Sequence, residues 1–266
     1  MQTNEMNSPR LNAIRSMAVL GLVLSFTGCG NSQNGAGLGR LKRNSDTDSK
    51  TNISKSQQAD VFFSLARSAE KQSNLQEAVK MYESVLQKNP KSAEAHWRLA
   101  ICLDKSGNFQ KSAAHYREAI SLMPGNAEIF CDYGYSLALQ NRWPESEMNL
   151  KQSIAIRPEL QRAHNNLGLV LAHGSKLEEA RHEFQLGGLS LPDSHWNLAQ
   201  MLVSQSRWDE ARTEFRKIKS LTPKNTEVDR QLASLDRLVS KVELARRSVK
   251  QDAAVAKASA DAYYLK

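Results

Sequence analysis

Between residues 59 and 236, apolar residues recur three and four places apart, the spacing of helices that bury one face. The blocks are short, and prolines punctuate them. Pro90, Pro124, Pro158, Pro192 and Pro223 stand at intervals of 34, 34, 34 and 31 residues. A fixed interval of this size marks a repeated supersecondary unit. With the proline numbered place 32, other columns fall into line. Place 7 reads Leu65, Leu99, Tyr133, Leu167, Leu198, and place 8 reads Ala66, Ala100, Gly134, Gly168, Ala199. Place 17 reads Leu75, Phe109, Trp143, Leu177, Trp208. Place 20 reads Ala78, Ser112, Ser146, Ala180, Ala211, and place 24 reads Tyr82, Tyr116, Leu150, Phe184, Phe215.

Places 4, 7, 8 and 11 share one helical face and places 20, 24 and 27 a second, so each repeat predicts two helices. Small residues at places 8 and 20 predict a close crossing between them. Turn residues at 105–108 and 173–176 separate the helices. The place-32 proline is expected to end the second helix, since it has no N–H and clashes with the preceding turn. One pair cannot hide its apolar face alone, so neighbours are expected to stack. Three residues are missing near 187–191, which predicts a shortened second helix in the fourth repeat or a tightened connection. After Pro223, Thr226 with Asp229 predicts a helix start. Val228, Leu232, Leu235, Val239 and Val242 then continue a helix that would cover the last apolar edge.

These columns resemble the tetratricopeptide-repeat (TPR) family: a large residue at place 4, Leu at 7, small residues at 8 and 20, an aromatic at 24 and proline at 32. The resemblance covers residues 59–224. It implies an all-α fold, a right-handed α-solenoid of five helix pairs (59–92, 93–126, 127–160, 161–191 and 192–224). A capping helix over 225–250 and a tail over 251–266 complete the expected layout.

The chain opens differently. Arg10 and Arg15 precede the apolar run 17–26, and small residues lead to Cys29, the pattern of a secretory signal. The run is shorter than the roughly 20 residues of a membrane-spanning helix. Residues 26–29, Phe-Thr-Gly-Cys, resemble a bacterial lipobox, with Phe26 where Leu is usual. The resemblance implies a signal over 1–28, lipidation of the Cys29 thiol and attachment to a membrane. Gly30, rather than Asp, favours the outer membrane and an exported protein of the bacterial envelope, facing the periplasm. A signal with Cys29 incidental is the alternative. Residues 29–58, rich in Asn, Ser, Gly and Lys, are expected to form a flexible tether.

Charge adds little to the picture of partners. The net charge is +8, yet residues 59–236 hold 22 basic and 22 acidic residues. The excess lies in 29–58 and in 237–266, where seven basic residues face three acidic ones. A nucleic-acid-binding fold concentrates its basic stripe on the folded part, so no nucleic acid is expected as partner. His96, His164 and His195 all take place 4, on separate helix pairs, too far apart to share a zinc ion. No cofactor or metal is expected. Cys102 and Cys131 show no metal spacing; an exported protein could join them in a disulfide, but they take places 10 and 5, which face different ways, and two sheltered free thiols are the expectation.

In TPR proteins the first helix of each pair lines a concave groove. Carried over to this chain, place 5 supplies Phe63, Trp97, Cys131, Asn165 and Trp196, and place 9 supplies Arg67, Ile101, Tyr135, Leu169 and Gln200. Asp60, Glu94, Glu128, Arg162 and Asp193 at place 2 would fringe it. Such a floor suits an extended or helical protein segment. Alternatively, Trp97 and Trp196, each following a place-4 histidine, fill the core. Asn166 and Asn197 resemble the asparagine ladder of the TPR arm of protein O-GlcNAc transferases, but Ser64, Arg98 and Asp132 take that place in the other repeats. A non-enzymatic scaffold is the expectation. Its layout resembles TPR lipoproteins of tight-adherence (Flp) pilus assembly and type IV pilus pilotins. A periplasmic adaptor for a cell-wall or division factor and a soluble TPR regulator are the other readings.

Overall fold

The computed structural model describes residues 54–264, with side-chain environments as far as Gln251. The signal, Cys29 and the tether up to residue 53 lie outside the described residues. Within them every element is a helix: α1 (Lys55–Lys71), α2 (Leu75–Lys88), α3 (Ala93–Lys105), α4 (Phe109–Leu122), α5 (Ala127–Leu139), α6 (Trp143–Ile156), α7 (Gln161–His173), α8 (Leu177–Leu186), α9 (Leu191–Ser204), α10 (Trp208–Leu221) and α11 (Thr226–Tyr264). None of them is long and apolar enough to cross a membrane. The described chain falls into two compact units, residues 54–170 and 171–264.

The first unit shows why the repeat forms. Ala66 of α1 and Ala78 of α2 are fully buried where the helices cross, and Tyr82 and Val85 pack beside them. The same core takes in Leu99 and Cys102 from α3, so the apolar side of one pair is closed by the first helix of the next. α3, α4 and α5 repeat the arrangement around Ala100, Tyr116, Ile129 and Leu137. In the second unit α9, α10 and α11 do so around Ala199, Leu202, Phe215, Val228 and Leu235. Every place-8 alanine and every place-20 residue is solvent-free.

Within a pair the turn is made the same way each time. Place 15 adopts positive φ: Ser73 59°, Gly107 76°, Asn141 59°, Ser175 64° and Ser206 61°. The next residue's N–H then reaches back to a carbonyl five positions earlier, as from Asn108 to Leu103 at 2.8 Å and from Arg207 to Leu202 at 2.9 Å. Between pairs, the residue before Pro90, Pro124, Pro158 and Pro223 is extended, with φ from −132° to −138°, and caps the helix. The ring excludes helical geometry from its predecessor.

Five expectations need correction. Pro192 does not close the fourth repeat; it lies in the first turn of α9, where its missing N–H costs nothing. The second helix of that repeat is shortened, one of the two outcomes expected, with 10 residues against 14 in α2, α4, α6 and α10. Gly188, at φ 82°, ends it in place of a proline, with Leu189 N–H bonded to Phe184 O at 2.9 Å. The first helix starts at Lys55 rather than 59, because Ser54 and Gln57 form a reciprocal capping box. Leu65, at a core place, is 50% exposed, since no described helix precedes α1. α11 begins under an Asn225 cap, not Thr226, and runs to Tyr264 through the expected tail, which is rich in alanine and free of breakers.

Candidate protein-interaction face

In the first unit the first helices stand side by side, joined by polar bonds from one to the next. Arg98 of α3 donates to Glu70 of α1 at 2.7 Å. The Trp97 indole N–H donates to Asp132 of α5 at 2.9 Å. The other oxygen of Asp132 meets Arg162 of α7 at 2.8 Å. Asn166 of α7 donates to the Cys131 sulfur at 3.6 Å. Places 5 and 6 therefore act largely as struts between helices.

The rings of the expected floor are partly buried. Phe63 is half-buried, edge-on to Tyr82 with centroids 5.6 Å apart. Trp97 and Ile101 lean on the α3–α5 core while keeping part of their surface open. Tyr135 is half-buried, and burial with the nearby Asp104 pushes its phenol up to about 12, so it stays neutral. Leu169 is half-buried and Arg67 exposed. In the second unit Trp196 sets its edge against Phe215, centroids 5.3 Å apart, with Gln200 half-buried on the same helix. Each tryptophan packs against the core with part of its surface and keeps a smaller part open.

Two expected floor residues are not available to a ligand. Cys131 is 0% and Asn165 7% exposed. The struts draw α5 and α7 together over these short side chains. Cys102 is buried too, and both thiols are free. Burial raises Cys102 to about 11 and Cys131 to about 12. Of the fringe, Glu128 is engaged by Arg157 at 2.8 Å, whereas Asp60 and Glu94 are exposed.

A carboxylate motif escaped the sequence reading. At place 12, Glu70 accepts the Tyr82 hydroxyl at 3.1 Å. Asp104 accepts Tyr116 at 3.0 Å, Ser136 at 2.9 Å and Ser112. Burial raises the Asp104 pKa against these hydrogen bonds. The signal was present: where place 24 becomes Leu150, Phe184 or Phe215, place 12 becomes Ala138, Ala172 or Val203. A buried tyrosine hydroxyl needs an acceptor, and a phenylalanine or leucine does not.

The place-4 histidines are fasteners. His96 Nε2–H donates to Pro90 O at 3.0 Å and His164 Nε2–H to Pro158 O at 2.7 Å. His96 Nδ1 is thereby an acceptor, 2.9 Å from His115 Nδ1. His195 instead meets Glu214 at 2.6 Å, which Lys217 also engages. Among the described residues no group of three or more His, Cys, Asp or Glu side chains gathers as a metal would require.

Residues 63–127 match the tetratricopeptide repeat model. No curated protein sequence matches the chain. Similar solved structures include a tetratricopeptide repeat protein from Parabacteroides merdae, 16% identical, covering 70% of this chain and 75% of that one, with a TM-score of 0.56. PilF of Pseudomonas aeruginosa is 20% identical over 71% of this chain and 93% of its own, with a TM-score of 0.51. YrrB, titled a TPR protein with an unusual peptide-binding site, is 15% identical over 64% of this chain and 89% of its own, also at 0.51. At these identities the likeness is one of fold. TPR proteins bind peptides or proteins in their groove, and their folds are generally non-catalytic. Residues 63–127 thus carry tetratricopeptide repeats, and the described residues share the all-helical repeat fold of the solved TPR proteins.

Proposed function

We propose that this protein is a membrane-attached scaffold that holds a peptide segment of another protein on the first-helix face of residues 54–170 and assists assembly of an envelope complex such as a pilus or secretion machine. The observation that carries the binding face is the row of half-open rings, Phe63, Trp97 and Tyr135, on helices tied together by Trp97–Asp132–Arg162. A ligand thus meets a floor that is already ordered, which lowers the entropy cost of binding. The solved neighbours support such a role by fold, one of them titled for a peptide-binding site.

A photo-crosslinking residue at Arg67 or Ile101 is expected to capture one discrete protein in cells. The same residue at Met148, 65% exposed on α6, is expected to capture none. Capture from Met148 alone refutes the face. Attachment rests on Cys29: Cys29→Ser is expected to move the protein from membranes to the soluble fraction. Sedimentation of that variant with membranes refutes the lipid anchor.

A further inference from the structure

Helix α11 is far longer than the element that covers it. Its 39 residues run about 58 Å, whereas the 14 residues of α10 reach about 21 Å. Along α11 the steps alternate between four and three: Val228, Leu232, Leu235, Val239, Val242, Arg246 and Val249. This 3.5-residue period keeps one stripe facing a second helix over many turns. The stripe begins against α10, where Val228 is 0% and Leu235 4% exposed. Beyond that it opens to solvent, and Val249 is 68% exposed.

The charges beside the stripe say what covers it. With the stripe at heptad positions a and d, the e positions read Asp236, Glu243, Lys250 and Lys257, acidic first and basic second. Two copies laid antiparallel, with the two-fold axis crossing between residues 246 and 249, set e against e. Glu243 of each copy then faces Lys250 of the other. A parallel pair would set e against g, where Glu243 and Lys250 would face the uncharged Leu238 and Ala245 and only Lys257 would meet a charge, at Asp252. Arg237, Lys241 and Arg247 lie on the face opposite the stripe, clear of this contact.

We propose that the free part of α11 is a homodimer interface, an antiparallel two-helix contact with the same segment of a second copy, with Glu243–Lys250 pairs fixing its register. The overlap is roughly 20 residues, or about 30 Å, and lies at the small end of specific interfaces. The dimer therefore dissociates on dilution. Arg246 is a charged residue in an otherwise apolar stripe, a device that fixes register at the expense of stability.

Sedimentation equilibrium of the purified full chain tests this. A monomer–dimer equilibrium is expected, and Glu243→Lys weakens it about tenfold by turning two attractive pairs repulsive. Lys250→Glu does the same, and the double variant Glu243→Lys/Lys250→Glu restores association. Arg246→Leu tightens it. All these positions are solvent-facing, so circular dichroism stays unchanged. A chain that remains monomeric at every concentration overturns the proposal. So does a dimer indifferent to Glu243→Lys, a double swap that fails to rescue, or α11 binding anionic phospholipid vesicles with no dimer. The readout is independent of the peptide-binding face.

Discussion

Gly134 offers the sharpest test of how closely the two helices of a repeat approach. It stands at place 8 of α5, opposite Leu150 of α6. A Cβ built at 134 would lie 2.7 Å from Leu150 Cγ, 3.0 Å from Cδ2 and 3.3 Å from the Leu150 backbone nitrogen. Cγ is not the free end of the side chain, and the nitrogen is fixed in a helix, so rotation of Leu150 cannot clear the space. The Ser146 hydroxyl also donates to Gly134 O at 2.6 Å and resists separation of α5 and α6. Overpacking of this kind costs roughly 1–3 kcal/mol. Alanine returns at most about 1 kcal/mol through helix propensity. With the full return, Gly134→Ala should therefore lose up to about 2 kcal/mol, the difference of those two effects. In urea denaturation followed by circular dichroism, the midpoint should fall with the slope unchanged. Leu150→Ala alone should cost about 2–5 kcal/mol through its cavity. In the double variant the new methyl group occupies part of that cavity, so the losses should add to less than their sum. A midpoint that rises on Gly134→Ala, or losses that simply add, would refute the close approach.

Tyr116→Phe leaves Asp104 with only its two serine donors and should cost about 1 kcal/mol, read as a lower urea midpoint. In a Cys29→Ser background Cys102 and Cys131 should resist Ellman's reagent at pH 8 and both react in denaturant; prompt reaction of the native protein would contradict their burial. Burial, with the neighbouring His96 and Lys111, holds His115 below its ordinary 6.5, against the opposing pull of Glu118. The unfolded chain then binds that proton more tightly, so this stability is complete above about pH 6.5 and is lost as pH falls through the depressed value. His115→Gln should flatten the fall in urea midpoint between pH 7 and pH 5.

The helix pairs were legible because their causes are local and repeated: small residues at places 8 and 20, turn residues between the helices as at 105–108 and 173–176, and proline two residues past the helix end. Pro192 misled because proline has two favourable places near helices, after an end and within a first turn, and only the neighbouring Gly188 distinguishes them. The interaction face was legible as a set of columns but not in depth. Places 5 and 9 both point toward it, yet Cys131 is short enough to sink between α5 and α7 while Trp97 is not. The Glu70–Tyr82 and Asp104–Tyr116 pairs bridge the two helices of a repeat, and a reading of single faces cannot connect them.

The struts also limit what the face can offer a ligand. The Trp97 N–H is spent on Asp132, whose other oxygen is held by Arg162, so neither the indole donor nor that carboxylate is free for recognition. What remains at Trp97 is apolar ring surface, and charge selection falls to exposed rim residues such as Arg67, Asp60 and Glu94. The two roles separate on substitution. Trp97→Phe keeps an aromatic surface and loses the hydrogen bond, while Asp132 stays paired with Arg162. It should cost about 1 kcal/mol of stability and leave crosslinking from Ile101 nearly intact. Trp97→Ala removes the surface as well and should abolish capture while the helical circular dichroism persists. If Trp97→Phe abolishes capture as completely as Trp97→Ala, the indole N–H reaches the ligand, and the strut is not what orders this face.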